Sequence, residues 1–235
     1  MEFALSPHLD IESCARHFAE TGSVSLDGFL PNDQARQLAA HLSERSDWSE
    51  VFRGESQTFD MPVTAFDALD DARKQQIDRM IHARAAHTFQ FRYRSIRVPD
   101  ERAQRKPDAD ALHGFAEFMC DDPTLAVLRQ VTGLSRIAFA DAQATAYSAG
   151  HFLTQHDDSV EGKNRLAAYV FSLSEGWKAD WGGLLSFPHG DTVHAFVPRF
   201  NALRIFAVPQ PHSVTFVPPF VTDTRYSITG WLRSQ

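Results

Sequence analysis

Residues 142–158 read AQATAYSAGHFLTQHDD, and this stretch decides the fold class. Two short apolar or alternating runs, 142–147 and 152–158, flank a turn sequence that contains Ser148 and Gly150. Runs of this length that are bounded by turn residues are typical of β-strands. The stretch therefore predicts two strands joined by a short connection.

The same pattern continues through the second half of the chain. Gly, Pro and Asp separate six further runs, at residues 165–173, 183–187, 193–197, 202–208, 212–217 and 225–232. Short strands at intervals of about 8–12 residues indicate a β-sandwich or barrel. Gly182 and Gly183 stand at the start of one run, where we expect them to form a turn or bulge.

Before about residue 135 the apolar residues are mostly spaced as in helices. We predict one short strand and four helices in this half, over residues 24–26, 32–43, 67–89, 109–120 and 123–132. Asn32 and Asp122 are the expected N-caps of two of these helices, and Gly133 follows the end of the last one. This half therefore predicts a helical layer that packs on the β-structure.

Composition excludes several classes of protein. The chain has 23 Lys and Arg against 30 Asp and Glu, a net charge of −7, so we expect no nucleic-acid partner. Its two cysteines, Cys14 and Cys120, rule out a disulfide scaffold and favour reduced thiols in a cytoplasmic protein. No run approaches the roughly 18 apolar residues of a membrane span, and the first ten residues do not resemble a signal peptide. We therefore expect no membrane association and a cytoplasmic location.

A candidate metal site begins with the sequence His156-Asp157-Asp158. On a strand, His156 and Asp158 would share one face and Asp157 would point away. His212 opens a later strand and could be aimed at the same face. Two histidines and one carboxylate form the facial triad of non-haem Fe(II) oxygenases. Taken singly, each residue could also belong to a polar turn or a loop.

A candidate anion site lies on the last strand, where residues 225–231 read RYSITGW. Alternation places Arg225, Ser227, Thr229 and Trp231 on one face, which would be the inside of the sandwich. A buried arginine needs a partner, and its planar fork suits a carboxylate. A dicarboxylate co-substrate could reach from the metal to Arg225 and Ser227, although an internal Asp or Glu could pair with Arg225 instead.

Together these residues resemble the Fe(II)/2-oxoglutarate-dependent oxygenases, and most closely their prolyl-hydroxylase-like branch. The resemblance rests on the stretches 147–158 (YSAGHFLTQHDD), 165–187 (RLAAYVFSLSEGWKADWGGLLSF), 201–231 and, less strongly, 22–42. It implies a mainly β fold with a helical N-terminal layer, built on a double-stranded β-helix, or jelly-roll, core supported by α-helices. We predict a single domain over residues 1–235, with a helical supporting region at 1–135 and the jelly-roll core at 140–235.

The resemblance also implies roles for individual residues. His156, Asp158 and His212 would be the catalytic iron ligands. Arg225 would bind the distal carboxylate of 2-oxoglutarate, Tyr147 would reach the same co-substrate, and Ser227 and Thr229 would line the same pocket.

One position departs from the oxygen-sensing members of this branch. Their second pocket tyrosine corresponds here to Ser172, and alternation places the nearby Tyr169 on the opposite face. The carboxylate of Asp158 also distinguishes the chain from halogenases of the superfamily, which have a small residue there. Both positions bear on function: the first argues against an oxygen sensor, and the second points to hydroxylation.

The expected activity is hydroxylation of an unactivated C–H bond, foremost in a prolyl residue of a protein or peptide, with release of succinate and CO2. The expected cofactors are Fe(II), 2-oxoglutarate as co-substrate and O2, with ascorbate as an additional reductant. A free amino acid or small metabolite is the alternative substrate. Two other classes remain. The intact set of His156, Asp158, His212 and Arg225 argues against a non-catalytic jelly-roll binding module, and Arg225 and Ser227 argue against a cupin-type metal enzyme without 2-oxoglutarate.

Several other residues are not assigned to the site. His151 and His189 lie in turn sequences, and we expect neither of them, nor His194, to bind the metal. Residues 99–107 (PDERAQRKP) form a charged segment bounded by prolines, which we expect to be an exposed loop or else a mobile lid near the site. The sequence does not specify an oligomeric state.

Overall fold

The computed structural model describes residues 1–234. Its helices are α1 (Ile11–Thr21), α2 (Asn32–Glu44), α3 (Val63–Asp67), α4 (Asp71–Ala85), α5 (Ala111–Phe118) and α6 (Asp122–Thr132). Its strands in the first half are β1 (Ser23–Asp27), β2 (Ser49–Arg53), β3 (Thr58–Pro62) and β4 (Phe91–Arg97). Those in the second half are β5 (Phe139–Ala140), β6 (Gln143–Tyr147), β7 (Phe152–His156), β8 (Arg165–Ser172), β9 (Leu185–His189), β10 (Thr192–Phe196), β11 (Ala202–Ala207), β12 (His212–Val214) and β13 (Arg225–Arg233).

The strands form one curled antiparallel sheet in the order β1-β11-β8-β13-β6-β4-β7-β12-β9-β10. The β2–β3 hairpin extends from β4, and β5 pairs with β13. This arrangement confirms the predicted fold class, a mainly β jelly-roll supported by helices. All eight strands predicted in the second half are present, with ends that differ by a few residues.

Strand alternation divides the core between two faces of the sheet. Phe171 of β8 and Ile228 of β13 lie in the large core that the sheet forms with the helices, where Phe171 stacks on Phe115 of α5 at 5.1 Å between ring centroids. The alternate residues of the same strands, such as Ala168 and Val170, face the inside of the curled sheet. The helical layer thus covers one face of the sheet, and the candidate site lies on the other face.

The first half differs from the predicted helical region because it also supplies strands. The helix predicted over 67–89 ends at Ala85 as α4, and β4 follows it. The β4 sequence FRYRSIR alternates with a period of two, which suits a strand rather than a helix. β4 lies between β6 and β7, so residues from the N-terminal half are part of the curled sheet itself.

Two predicted helix N-caps are displaced by one residue. The cap of α6 is Asp121, whose carboxylate accepts a hydrogen bond from the Thr124 amide, and Asp122 is already helical. α2 begins at Asn32 after Pro31, and the Asn32 side chain accepts a hydrogen bond of 2.9 Å from Asn201 rather than capping the helix. In both helices the residue before the predicted cap, Pro31 or Asp121, occupies the N-cap position.

The segment 99–107 is neither fully exposed nor a lid over the site. The Arg105 side chain is buried and donates hydrogen bonds to the carbonyl oxygens of Pro99 and Ala116 and to the Glu117 carboxylate. These contacts hold the segment on α5, on the helical side of the sheet. Within residues 1–234, no helix combines the length and apolarity that crossing a membrane requires.

Candidate active site

Three potential metal ligands meet on the inside of the curled sheet. His156 ends β7 and His212 begins β12, and the two residues are paired opposite each other in the antiparallel register. Asp158 Oδ1 lies 3.3 Å from His156 Nε2, and Asp158 Oδ2 lies 3.4 Å from His212 Nε2. One donor atom from each residue falls within 4.8 Å of the others, so the His–Asp–His cluster (His156, Asp158 and His212) has the spacing of a metal site.

Asp158 reaches this cluster differently from the prediction. β7 ends at His156, and Asp158 has a left-handed backbone conformation with φ of 63°. Aspartate tolerates this conformation better than most residues, and Arg165 donates a hydrogen bond of 3.0 Å to the Asp158 carbonyl oxygen. Strand alternation therefore identified the right residue, but a turn after the strand places its carboxylate.

Backbone carbonyl groups fix the orientation of both imidazoles. Nδ1 of His156 lies 3.1 Å from the Thr154 carbonyl oxygen, and Nδ1 of His212 lies 2.8 Å from that of Gln210. Because a carbonyl oxygen only accepts, each Nδ1 must carry the proton and each Nε2 presents a lone pair to the cluster. Second partners of this kind commonly orient metal-ligating histidines.

Electrostatics favour the protonation states that metal binding needs. Burial lowers the pKa of His212, and the charge of His156 lowers it further, so the neutral imidazole is favoured. Burial would raise the pKa of Asp158, but the close contact with the His156 ring and the positive charge that either histidine carries when it is protonated outweigh burial and lower that pKa. The donor set is thus one anionic carboxylate with two imidazole nitrogens, which suits Fe(II).

Arg225 is a buried cation without a carboxylate partner among residues 1–234. Its side chain is 2% exposed, and Nη1 donates a 2.6 Å hydrogen bond to the Gly183 carbonyl oxygen. Its Nε atom is buried without a partner, and burial lowers the pKa of the guanidinium to about 10. A buried cation with a free donor is unfavourable unless a ligand pairs with it, so the site fits a bound anion.

The turn that holds Gly183 explains how its carbonyl oxygen comes to meet Arg225. Gly182 and Gly183 have φ of 62° and 61°, a left-handed conformation that favours glycine. A Cβ atom at Gly182 would lie 1.9 Å from the Phe216 carbonyl oxygen, so no larger residue fits without movement. Both glycines thus have the backbone conformation that the predicted turn or bulge requires.

The remaining predicted residues line the same cavity, whose volume is about 190 Å³. Ser227 is fully buried, and its hydroxyl lies 2.9 Å from that of Thr145. Thr229 accepts a long hydrogen bond of 3.5 Å from Gln143. The Tyr147 hydroxyl has no hydrogen-bond partner within the described chain, and burial raises its pKa.

Sequence reasoning missed an aromatic wall on β4 and the segment before it. Phe89 packs on His156 at 5.2 Å between ring centroids, Phe91 packs on Tyr93 at 5.6 Å, and Tyr93 stacks on Tyr147 at 5.5 Å. All three line the cavity. The signal is the alternation of aromatic residues in FQFRY at residues 89–93, of which the predicted helix over 67–89 includes only Phe89.

Other residues considered in the sequence lie outside the cluster. Tyr169 donates a 2.8 Å hydrogen bond to the Asp141 carbonyl oxygen and belongs to the helical-side core, whereas Ser172 faces inward toward a neighbouring cavity. His151 is buried, lies 3.1 Å from Glu50 and is not part of the cluster. His189 and His194 stack on each other on the β9–β10 hairpin.

Comparison with known proteins gives a family match over part of the chain. Residues 142–233 match the model of the 2OG-Fe(II) oxygenase superfamily, and this segment contains the His–Asp–His cluster and Arg225. Over this segment the chain is similar to the 2OG-Fe(II) oxygenase superfamily, and the match supports a dioxygenase. An oxygenase of this superfamily implies Fe(II), 2-oxoglutarate and O2, and the cluster and the unpaired Arg225 fit the first two of these.

Solved structures share the fold of this oxygenase over almost its whole length. A prolyl-4-hydroxylase from Pseudomonas putida gives a TM-score of 0.62 at 22% identity, covering 96% of this chain and 99% of the other. A prolyl hydroxylase from Trichoplax adhaerens, solved with a peptide of the hypoxia-inducible-factor oxygen degradation domain, gives 0.63 at 16%, covering 95% and 89%. The non-haem alpha-ketoglutarate-dependent epimerase SnoN of nogalamycin biosynthesis gives 0.56 at 10%, covering 94% and 81%. No curated protein sequence matches the chain.

Proposed function

We propose that this oxygenase hydroxylates an unactivated C–H bond of a prolyl residue in a protein or peptide, with release of succinate and CO2. One observation carries the proposal: the His–Asp–His cluster and the buried, unpaired Arg225 face a single cavity of about 190 Å³. A molecule with a 2-oxo acid at one end and a carboxylate at the other is complementary to the two ends of that cavity.

His156 Nε2, Asp158 and His212 Nε2 would hold Fe(II) at one end. Three protein donors leave further coordination positions for the co-substrate and O2. When bound, the iron supplies the activation of O2 that couples oxidative decarboxylation of 2-oxoglutarate to C–H hydroxylation. The protein's part is to keep both imidazoles in the tautomer with a free Nε2 and to keep the carboxylate ionised.

Arg225 and Ser227 would hold the distal carboxylate at the other end. The free Nε of Arg225 is a charge-assisted donor in surroundings that exclude water, and the Ser227 hydroxyl is on the same face. The unpartnered hydroxyl of Tyr147 supplies a further donor beside Arg225, and Thr229 completes the lining. A correctly oriented co-substrate would thus be fixed at both ends before the second substrate arrives.

Apolar side chains would exclude water from the reacting atoms. Phe206 packs on His212 at 4.6 Å between ring centroids, and Leu185 and Val214 line the same side of the cavity. Phe89 and Phe91 are only partly buried, so their rings are available at the cavity wall to a bound substrate. A prolyl ring is apolar and suits such an aromatic surface. The prolyl hydroxylases among the structures with this fold support the same substrate class.

Hydroxylation or another oxidation of a small metabolite or free amino acid is the second candidate. It is favoured by the small volume of the cavity and by the presence of a small-molecule biosynthetic enzyme, SnoN, among the structures of similar fold. Both candidates use the same iron and co-substrate residues. They differ only in what contacts the aromatic wall.

The test is a substrate screen with a product assay. Purified protein is incubated with Fe(II), ascorbate, O2 and 2-oxoglutarate, together with proline-containing peptides or with free amino acids, and succinate is measured beside the mass of the candidate product. We expect a peptide to gain one oxygen atom on proline and to stimulate succinate formation, and we expect neither event with His212→Ala. Stimulation by free amino acids alone would overturn the peptide proposal, and no succinate with any compound would count against the activity itself.

A further inference from the structure

A second cavity, of about 800 Å³, lies between α1, β1 and the β9–β10 hairpin. We call it the α1–β10 cleft and define it by Ser23, Phe187, Phe196, Arg204 and Gln210, which line it. β1 and β10 are the two ends of the strand order, so the cleft occupies the gap between the edges of the curled sheet. None of its lining residues belongs to the His–Asp–His cluster or lines the cavity that this cluster faces.

Arg204 projects into this cleft without an anionic partner. It lies on β11 two residues before Phe206, so it is on the inward face of the sheet. Its guanidinium lies 3.6 Å from the centroid of the Phe196 ring and makes no hydrogen bond or ion pair with any residue from 1 to 234. Asp27 attracts it, but the Asp27 carboxylate is ion-paired with Arg199. Burial lowers the pKa of Arg204 to about 10, in keeping with an uncompensated cation.

Two further polar atoms in the cleft also lack partners. Ser23 Oγ and Gln210 Oε1 are both buried, and neither makes a hydrogen bond in the described structure. Buried polar atoms are usually satisfied, so two of them beside an unpaired cation indicate a place where a ligand supplies the missing partners. The hydroxyl and guanidinium are donors suited to a carboxylate, and Gln210 offers an amide to a second polar group.

We propose that the α1–β10 cleft binds a carboxylate-bearing ligand at Arg204 and Ser23, with a hydroxyl or amino group of that ligand on Gln210. Phe187 and Phe196 provide the apolar walls for its carbon skeleton. The cation of this proposed site, Arg204, lies on β11, whereas Arg225, which is proposed to bind 2-oxoglutarate, lies on β13. The ligand is therefore additional to 2-oxoglutarate.

The cleft is one aromatic layer away from the candidate metal centre. Phe187, in the cleft wall, packs on Phe206 at 5.1 Å between ring centroids, and Phe206 packs on His212 at 4.6 Å. The Gln210 carbonyl oxygen also accepts the hydrogen bond that orients His212. A ligand in the cleft would therefore contact the residues that support a proposed iron ligand.

Calorimetry with two probes tests the proposal and separates the sources of the carboxylate. L-Malate represents a small hydroxy acid, and an unstructured octapeptide with one aspartate and blocked ends represents a polypeptide. Wild type is compared with Arg204→Met, Gln210→Ala and Arg225→Met. We expect at least one probe to bind wild type and Arg225→Met alike, and to bind roughly 10- to 100-fold more weakly to Arg204→Met. Absence of binding to wild type, or weakening in Arg225→Met alone, would overturn the proposal.

Thermal unfolding distinguishes a binding role of Arg204 from a structural one. An unpaired, partly buried cation costs stability, so Arg204→Met should melt at the same temperature as wild type or higher. The probe that binds should raise the melting temperature of wild type and leave that of Arg204→Met unchanged. A variant that melts lower than wild type, or does not fold, would show that Arg204 holds the fold together and would contradict a ligand site.

Discussion

Tyr93 and Tyr147 stack with 5.5 Å between their ring centroids and 22° between their planes, although they come from different halves of the chain. Tyr147 is on β6, within the predicted jelly-roll core, and Tyr93 is on β4. The Arg225 guanidinium lies 5.3 Å from the centroid of the Tyr147 ring. Both halves of the sequence therefore build the candidate co-substrate pocket.

Removing the hydroxyl of Tyr147 tests its proposed contact with 2-oxoglutarate. Tyr147→Phe keeps the stacked ring and loses one donor beside Arg225, so we expect the Kd for 2-oxoglutarate to rise roughly 5- to 10-fold. Tyr93→Phe is the matched control and should change the Kd little. Equal affinities in the two variants, measured by anaerobic titration, would remove Tyr147 from the co-substrate site.

The adjacent acids Asp157 and Asp158 should differ sharply in metal binding. The Asp157 carboxylate accepts a hydrogen bond from the Ser159 amide and is outside the cluster, whereas both oxygens of Asp158 face the imidazoles. We expect Asp158→Ala to lose tight Fe(II) binding and turnover, and Asp157→Ala to retain most of both. Calorimetric titration with Fe(II) under argon measures this, and a similar loss in both variants contradicts the assigned ligand.

Replacing the buried cation Arg225 should weaken the binding of 2-oxoglutarate and leave the binding of Fe(II) unchanged. Arg225→Ala is expected to lose about 2–4 kcal/mol of 2-oxoglutarate binding because the distal carboxylate would be left unpaired in a buried site. Arg233→Gln, on the same strand, removes an arginine that is paired with Asp100 and Asp141 away from the cavity. Fe(II) affinity should be unchanged in both. An unaltered co-substrate affinity in Arg225→Ala would mean that another residue holds the carboxylate.

A buried ion cluster behind the site should control acid stability. Glu50 is fully buried and contacts Arg92 at 2.6 Å, Arg94 at 3.1 Å and His151 at 3.1 Å. Burial would raise the pKa of Glu50, but the hydrogen bond from His151 and the charge of Arg92 outweigh it and lower the pKa to about 2. His151 Nδ1 accepts a hydrogen bond from the Ser148 amide, so Nε2 is the nitrogen that donates to Glu50.

The sign of the pH effect follows from that shift. A carboxyl with a folded-state pKa of about 2 and an ordinary pKa of 4.5 adds stability above pH 4.5, and this stability is lost as the pH falls from 4.5 toward 2. The contribution is on the order of 3 kcal/mol. Urea unfolding between pH 7 and pH 3 should show a flatter pH dependence for Glu50→Gln than for wild type. The exposed Glu175→Gln variant is the control, and a wild-type slope in Glu50→Gln would contradict the account.

The second half of the fold was predictable because its signals are local. Each strand there is a short run between turn residues, and the histidines and Arg225 fall on strands whose alternation was visible. β4 was not predicted because its place in the sheet depends on contacts with residues that are distant in sequence. Arg92 and Arg94 make its sequence look polar, and only their pairing with Glu50 on β2 allows the strand to occupy the sheet.

The details of the site were less predictable than its residues. Asp158 depends on a left-handed turn that Arg165 supports, and no period in the sequence encodes that contact. The free Nε of Arg225 is likewise a property of the assembled cavity, since a partner could have come from any acidic residue. The chemical groups of the site could thus be predicted from the sequence. Their geometry, and which donors remain without a partner, could not.

The most direct test of the central claim is an anaerobic titration of metal-free protein with Fe(II) and then 2-oxoglutarate, followed by visible absorption. We expect the metal-to-ligand charge-transfer band of a chelated 2-oxo acid in wild type and its loss in His212→Ala, with Asp157→Ala as a control that retains it. Iron binding without the band would contradict the assignment of the Arg225 cavity to 2-oxoglutarate. Failure to bind iron would contradict the His–Asp–His metal site itself.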